Sequence, residues 1–250
     1  QSATLAAIRD FMLFDETNPS SVLSCLSAAR SNARSVRTAI TTEMWESINE
    51  TWLEYSQIRS ASISANDLPA LLDRIKRDTA RFRGAMLNTI LRDDGYCFCQ
   101  LGVFNERADN TARILDVKYH LLLPAHQHVG GPLDYFQWAA ILRSVSALTS
   151  YHWVYRESLK PWLIADLLIL NDQMPRSLAS CYENLVRHLD LIARAYGRQG
   201  PAQRLARAIR TRIENSRMEE IFQKGLHEFI GEFVADNNRL GSAITEQYLV

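Results

Sequence analysis

Apolar residues recur along most of this chain at three- and four-residue intervals, which sets out a series of amphipathic helices. Between residues 19 and 40, Val22, Cys25, Leu26, Ala29, Ala33, Val36 and Ile40 fall on one stripe. Asn18 and Pro19 just ahead of it predict an N-cap and a first helical residue, a position where proline's missing N–H costs nothing. A helix over 43–58, capped by Thr42, carries Trp45, Ile48 and Trp52, and Asp67 opens another over 68–92 that the Asp93-Asp94-Gly95 run closes. The longest pattern, 96–123, places Cys97, Leu101, Phe104, Ala108, Ala112, Leu115, Tyr119 and Leu122 within an arc of about 80°. A short helix is expected over 3–14, and others over 133–155, 159–170, 175–197, 201–215, 217–236 and 239–248. Alternating strand patterns are missing throughout, so the expected fold class is all-α, a helical bundle.

The chain also repeats itself. "LFDETNPSSVLSCL" at 13–26 is similar to "ILNDQMPRSLASCY" at 169–182, with Pro19 on Pro175, Ser21 on Ser177, Ser24 on Ser180 and Cys25 on Cys181, an offset of 156 from 19 to 175. Helix-start chemistry alone would not also place the cysteine, so an internal pseudo-twofold duplication is expected, with 1–92 the remainder of a first repeat and 93–250 a second, in a single domain. The counterpart of the 96–123 helix would then lie about 60 residues ahead of residue 1. The opening "QSATLAAIRDF" has no initiator Met, which fits a sequence that begins inside a longer one.

Composition narrows the function classes. With 28 basic and 28 acidic residues the formal net charge is +0, which argues against nucleic-acid and membrane-surface partners. The most apolar run, "PWLIADLLIL", is too short to span a bilayer and carries Asp166. Cys25, Cys97, Cys99 and Cys181 lack the spacing of a disulfide framework or a metal site, so reduced thiols packed as small hydrophobes are expected, and with them a cytoplasmic location. His126 and His128 form an HxH pair in a Gly-rich loop, but spacing supplies no third ligand, and neither a metal nor a cofactor is expected. Arg204, Arg207 and Arg210 predict a solvated helix face. Trp45, Trp52, Trp138, Trp153 and Trp162 sit at apolar helical positions and are expected in the core.

Charged rows beside the apolar seams are the candidate site. Glu106, Asp109, Arg113 and Asp116 share one flank of the 96–123 helix, with i,i+4 and i,i+3 pairings, while Arg107 projects from the opposite flank. On the 19–40 helix, Arg30, Arg34 and Arg37 line one flank of the stripe. Two readings stay open. The rows form a half-buried ion network that fixes helix packing, or a polar cleft whose arginines hold a carboxylate, phosphate or peptide end.

The segments "FDETNPSSVLSCLSAARSNARSVR", "TTEMWESINETW", "LGVFNERADNTARILDVKYHLLL" and "NDQMPRSLASC" together resemble the bacterial alpha-E domain family, an all-helical family named for its Glu-Arg motif. The resemblance assigns the motif positions to Glu106 and Arg107, followed by Asp109 and Arg113, with Asn18, Pro19, Ser20 and Ser21 in the other block. Members usually begin with a helix pair bearing a first Glu-Arg motif, and no such copy precedes the rest here. Genes of this family typically neighbour or fuse with circularly permuted ATP-grasp ligases and transglutaminase-like peptidases. The resemblance therefore implies an accessory or substrate-presenting domain for an amide-forming ligase, itself non-catalytic. The rival expectation is an enzyme working through the Glu/Asp/Arg cleft, and a third is a purely structural assembly domain.

Overall fold

The computed structural model describes residues 4–58, 60–121 and 132–248, and among these residues it contains twelve α-helices and no strand, as the periodicity predicts. The chain divides into two compact units, Gln1–Tyr96 and Cys97–Val250.

The first unit contains α1 (Leu5–Leu13), α2 (Val22–Ser35), α3 (Thr42–Ser56), a 3-10 turn at Ser60–Ser62 and α4 (Leu68–Thr89), followed by the first turn of α5 (Asp94–Leu121). Helix α2 packs on α3, and α3 on α4. Leu13, Tyr55 and Leu71 are buried together, with Phe14, Leu26 and Ile75 packed around them. Tyr55 stacks on Phe14 at 5.6 Å and donates its hydroxyl to the Leu13 carbonyl at 3.1 Å, while burial pushes its phenol up to about 12. Arg9 and Asp10 tie α1 to the turn. Arg9 donates to the Ile63 carbonyl at 2.5 Å, and the Ser60 hydroxyl donates to Asp10, which with the Arg9 hydrogen bond holds that carboxyl below the usual range.

The second unit holds the rest of α5, then α6 (Pro132–Ser144), α7 (Leu148–Tyr155), α8 (Pro161–Ile169), α9 (Leu178–Tyr196), α10 (Pro201–Asn215), α11 (Met218–Lys224) and α12 (Leu226–Tyr248). Helix α9 packs on α10 and α10 on α12, while α6, α7 and α11 lie against α8. Its core is larger than that of the first unit. Ile164, Leu168, Leu178, Leu185, Leu189 and Phe233 are completely buried, each worth about 1.5–3 kcal/mol over an exposed position.

Several boundaries differ from expectation for local reasons. Helix α2 begins at Val22, not Pro19, because Ser21 is the N-cap, accepting the Ser24 N–H at 3.2 Å. Asn18 instead shapes the turn before it: its amide donates to the Phe11 carbonyl at 2.9 Å and its side-chain oxygen accepts the Ser20 N–H at 3.0 Å. Ser177 caps α9 in the same way, accepting from Ser180 at 3.0 Å. The expected 133–155 helix is two helices, broken at Ser146, which takes a left-handed φ of 55°. The break expected near 237 lies at Gly225, whose φ of 108° suits glycine alone. His126 and His128 lie outside the described residues.

Some helix bounds of the two units coincide at the 156 offset. Shifted by 156 positions, α1 (5–13) falls on α8 (161–169), and α2 starts where α9 starts, at 178. With the same shift α3 overlaps α10 and α4 overlaps α12. The two differ sharply in burial. Among α9 residues Leu178, Cys181, Tyr182, Leu185 and Leu189 are buried, whereas no residue of α2 is. The stripe expected to anchor α2 is thus mostly half-exposed, and Cys25 and Val36 are exposed outright. Two tryptophans also depart from the core expectation: Trp138 is buried, but Trp153 and Trp162 are 75% and 50% exposed.

Candidate functional site

The site is built on α5 and the corner that leads into α9. Cys97, Leu101, Ala108, Ala112 and Leu115 form the buried edge of α5, as the stripe predicts. On one flank of that edge, Arg107 donates to the Pro175 carbonyl at 3.1 Å, and one turn on, Thr111 donates to the Arg176 carbonyl at 2.8 Å. Both acceptors are in the Pro-x-Ser turn that precedes the Ser177 cap. The Arg107 guanidinium also lies 5.1 Å over the Phe104 ring, which stacks in turn on His188 of α9. The two sequence blocks that stood out separately, Glu-Arg and Pro-x-Ser, therefore meet in this unit.

This clasp surrounds a buried thiol. Burial pushes Cys181 up to about 12, a shift that Arg107 and Arg176 partly oppose, so the sulfur stays a neutral packed group at physiological pH.

The acidic row takes a different set of partners. Glu106 is exposed and accepts from Asn110 at 3.1 Å. Arg113 pairs with Asp109 at 2.6 Å within α5, a hydrogen bond that raises its pKa. Asp116 reaches His227 of α12 at 2.6 Å, and this bond raises the imidazole pKa. The row is thus partly satisfied along its own helix and partly tied to α12. Arg30, Arg34 and Arg37 belong to the first unit. There Arg30 donates to Asn49 at 2.8 Å and lies 4.2 Å over Trp52, and Arg37 lies 5.5 Å over Trp45. Of the other block, Ser21 is a completely buried cap and Asn18 a buried turn residue.

A second group, absent from the sequence-derived candidates, lies beside the row. Tyr182 donates to Asn237 at 2.9 Å, and Asn237 donates to the Asn105 carbonyl at 3.2 Å. Arg212 of α10 pairs with Asp236 of α12 at 2.6 Å, and Arg239 joins the same carboxylate. Burial raises the Tyr182 phenol, helped by Asp236 and Asp109 and opposed by Arg212. Asp109 Oδ1 and the Nε and Nη2 of Arg212 are buried atoms with no hydrogen-bond partner among the described residues. Arg212 belongs to the run whose other arginines were assigned to solvent, and spacing gave no signal that its side chain turns toward α12. Lys118, also missed, is buried, donates to Gln137 and lies 5.4 Å over Trp138. Its place on the edge of a seam in a lysine-poor chain was the available hint.

Glu106–Arg107 is the one Glu-Arg dipeptide in the sequence. A family model described as "a predicted alpha-helical domain with a conserved ER motif", Alpha-E, matches residues 1–249. The chain belongs to the Alpha-E family. No curated protein and no solved structure matches it. For this Alpha-E chain the geometry gives the arginine of the pair a mechanical task, to hold the corner before α9, and leaves the glutamate at the surface. Among the described residues, no helix is long and apolar enough to cross a membrane, and no group of three or more His, Cys, Asp or Glu residues is placed to hold a metal.

Proposed function

We propose that this Alpha-E chain is a non-catalytic binding module, an accessory or substrate-presenting domain for a circularly permuted ATP-grasp ligase that forms peptide or amide bonds. A transglutaminase-like peptidase is a further candidate partner. The observation that carries the reading is the uncovered apolar face of α1: Leu5, Ile8, Phe11 and Met12 are all about half exposed or more. Their counterparts in α8 at the 156 offset include Ile164, Leu167 and Leu168, all buried. A contiguous apolar face of this kind marks a protein interaction site on a soluble surface. Arg107 supports the same reading, because its guanidinium is engaged with the Pro175 carbonyl and is not held ready for a substrate.

The test is a calorimetric titration against a circularly permuted ATP-grasp ligase, with and without ATP. Saturable binding at micromolar affinity or better is expected. Two well-folded proteins that do not bind would end this reading.

One observation favours an alternative, a polar cleft acting on a carboxylate-, phosphate- or peptide-bearing substrate. The unpartnered guanidinium edge of Arg212 and the unpartnered oxygen of Asp109 both lie close enough to Tyr182 to act on its phenol. Such a buried edge suits a carboxylate, which would accept two parallel hydrogen bonds. A thermal-shift screen of small carboxylates and phosphates, repeated with Arg212→Lys, separates this reading from the first.

A further inference from the structure

Charge is unevenly placed along this chain. The whole sequence carries 28 basic and 28 acidic residues, yet residues 187–217 carry eight arginines, no lysine and two acids, Asp190 and Glu214. Both acids are occupied, Asp190 by Arg207 at 2.6 Å and Glu214 by Arg210 at 2.7 Å. Arg187, Arg194, Arg198 and Arg204 are exposed and make no ion pair or hydrogen bond through their side chains among the described residues. They gather on one surface. Arg187, Asp190 and Arg194 fall within about 60° of α9, on the outer side, away from the buried Leu185, Leu189 and Ile192. Arg207 reaches over from α10, one Nη donating to Asp190 at 2.6 Å and the other to Gln199 in the turn at 3.1 Å. It thereby joins the outer side of α9, the turn and the start of α10. Arg198 adjoins Gln199, and Arg204 stands one turn ahead of Arg207. Arg204 also closes the first turn of α10, where the helix dipole disfavours a cation and no acid offsets it.

We infer that this α9–α10 surface binds an acidic peptide in extended form, with aspartate or glutamate at alternate positions. The inference rests on the substrate-presenting reading above and names the peptide presented. The complementarity is one of charge: four unspent guanidinium groups surround a fifth that is held in place, and arginine's planar fork matches a carboxylate. It is also one of spacing. Arg187 and Arg194 are about 10 Å apart along the helix axis, and the turn extends the strip further. Side chains on one side of an extended peptide recur about every 6.6–7 Å, so three alternate acids span about 13 Å and reach from Arg187 to the turn. A nucleic acid fits the surface less well, because it offers no platform for bases. Residues 187–217 contain no Trp or Phe, and their one tyrosine, Tyr196, packs on Tyr248.

The test is fluorescence anisotropy of the full chain with three rhodamine-labelled probes, at low and at high salt. The probes are the end-blocked hexapeptide Glu-Ser-Glu-Ser-Glu-Ser, its Gln-Ser-Gln-Ser-Gln-Ser counterpart and a hexanucleotide of thymidylate. The acidic peptide is expected to bind, more weakly at high salt, and the glutamine peptide at least ten-fold more weakly than the acidic one. Arg194→Gln combined with Arg204→Gln should weaken acidic-peptide binding about five-fold or more, since two ion pairs are lost. Arg77→Gln, at an exposed position of α4 in the first unit, should leave it unchanged. Circular dichroism verifies that the variants are folded. Equal binding of the two peptides, tighter binding of the oligonucleotide, or a double variant that binds like wild type overturns the inference. Ligase binding by a chain that ignores the acidic peptide leaves the binding-module function standing and overturns only the peptide site. Acidic-peptide binding, sensitive to the double substitution, by a chain that no ligase engages supports the peptide site and ends the ligase reading.

Discussion

Arg107 of α5 donates to the carbonyl of Pro175, a residue 68 positions further along the chain, at 3.1 Å. The bond joins the two patterns that distinguish this sequence from a generic helical one, and it shows why they occur together. A proline turn before a helix leaves carbonyls that no intrahelical N–H can reach. A guanidinium arriving from another helix satisfies one of them, and Thr111 satisfies the next at 2.8 Å. The motif is therefore half of a joint, and the corner is the other half.

Arg107→Ala should lower the stability of the second unit by about 1–2 kcal/mol, a modest figure because the bond is solvent-accessible although its donor is charged. In a domain of this size that is a fall of a few degrees in melting temperature. Arg107→Lys should recover less than half of it, since a point charge does not reproduce the planar donor stacked on Phe104. Differential scanning calorimetry of the three proteins checks this. A lysine variant indistinguishable from wild type would mean that charge alone matters.

Thr111→Val removes the neighbouring bond while keeping the shape of the side chain. Thr111 is buried, so its loss should cost about 1 kcal/mol. The two substitutions together should cost less than their sum, because release of the corner by one weakens the grip of the other. Urea denaturation of the double-mutant cycle measures the coupling, and strict additivity would show that the carbonyls are held independently.

Arg113→Ala tests the acidic row. Had the row been a buried network, loss of its arginine would cost several kcal/mol. The Arg113 side chain is 56% exposed and its pairing to Asp109 is an i,i+4 contact, so the expected loss is below about 1 kcal/mol. Chemical denaturation distinguishes the two values easily.

The helical periodicity was enough to recover the all-α class and the buried edge of α5, because a 3.6-residue stripe and its burial are the same physical fact. Chain breaks were harder. Ser146 and Arg156 adopt left-handed conformations that nothing in a serine or an arginine announces, and Gly225 was one of ten glycines with no distinguishing neighbour. The charged row was legible as a row, but not its partners: the bond from Asp116 to His227 spans 111 positions. The tyrosine–asparagine group around Tyr182 left no trace in the periodicity, since Asn237 and Asp236 occupy ordinary positions on a long amphipathic helix. Pattern also over-read α2, because a stripe records what a helix can bury and does not say whether a neighbour is there to bury it.

The bond between Asp116 and His227 makes a pH-dependent contribution with a definite sign. The folded-state imidazole pKa is raised, chiefly by the hydrogen bond that the His227 ring donates to the Asp116 carboxylate. The unfolded chain returns to the ordinary value of 6.5. The contribution is fully present below that value and is lost as pH rises through the elevated folded-state value. The melting temperature of the wild type should therefore fall, relative to His227→Gln, as pH rises above 6.5 and passes through the elevated folded-state value. Parallel curves for the two proteins across that range would show that the pair adds nothing.

The sharpest contrast between the units is available at two positions related by the 156 offset. Phe11 of α1 is 52% exposed, and Leu167 of α8 is 1% exposed. Phe11→Asp replaces an exposed apolar group on a short helix and should change stability by no more than about 0.5 kcal/mol. Leu167→Asp buries a carboxylate with no partner and should cost more than about 4 kcal/mol, enough to unfold the second unit or to raise the carboxyl pKa steeply. The functional expectation runs the other way. If the α1 face is where a ligase binds, Phe11→Asp abolishes the complex while the protein stays folded, because one charge inside an apolar contact must be desolvated without compensation. Calorimetric titration and circular dichroism on the same Phe11→Asp sample decide the matter: normal helicity with normal binding would move the partner off α1, and normal helicity with no binding would place it there.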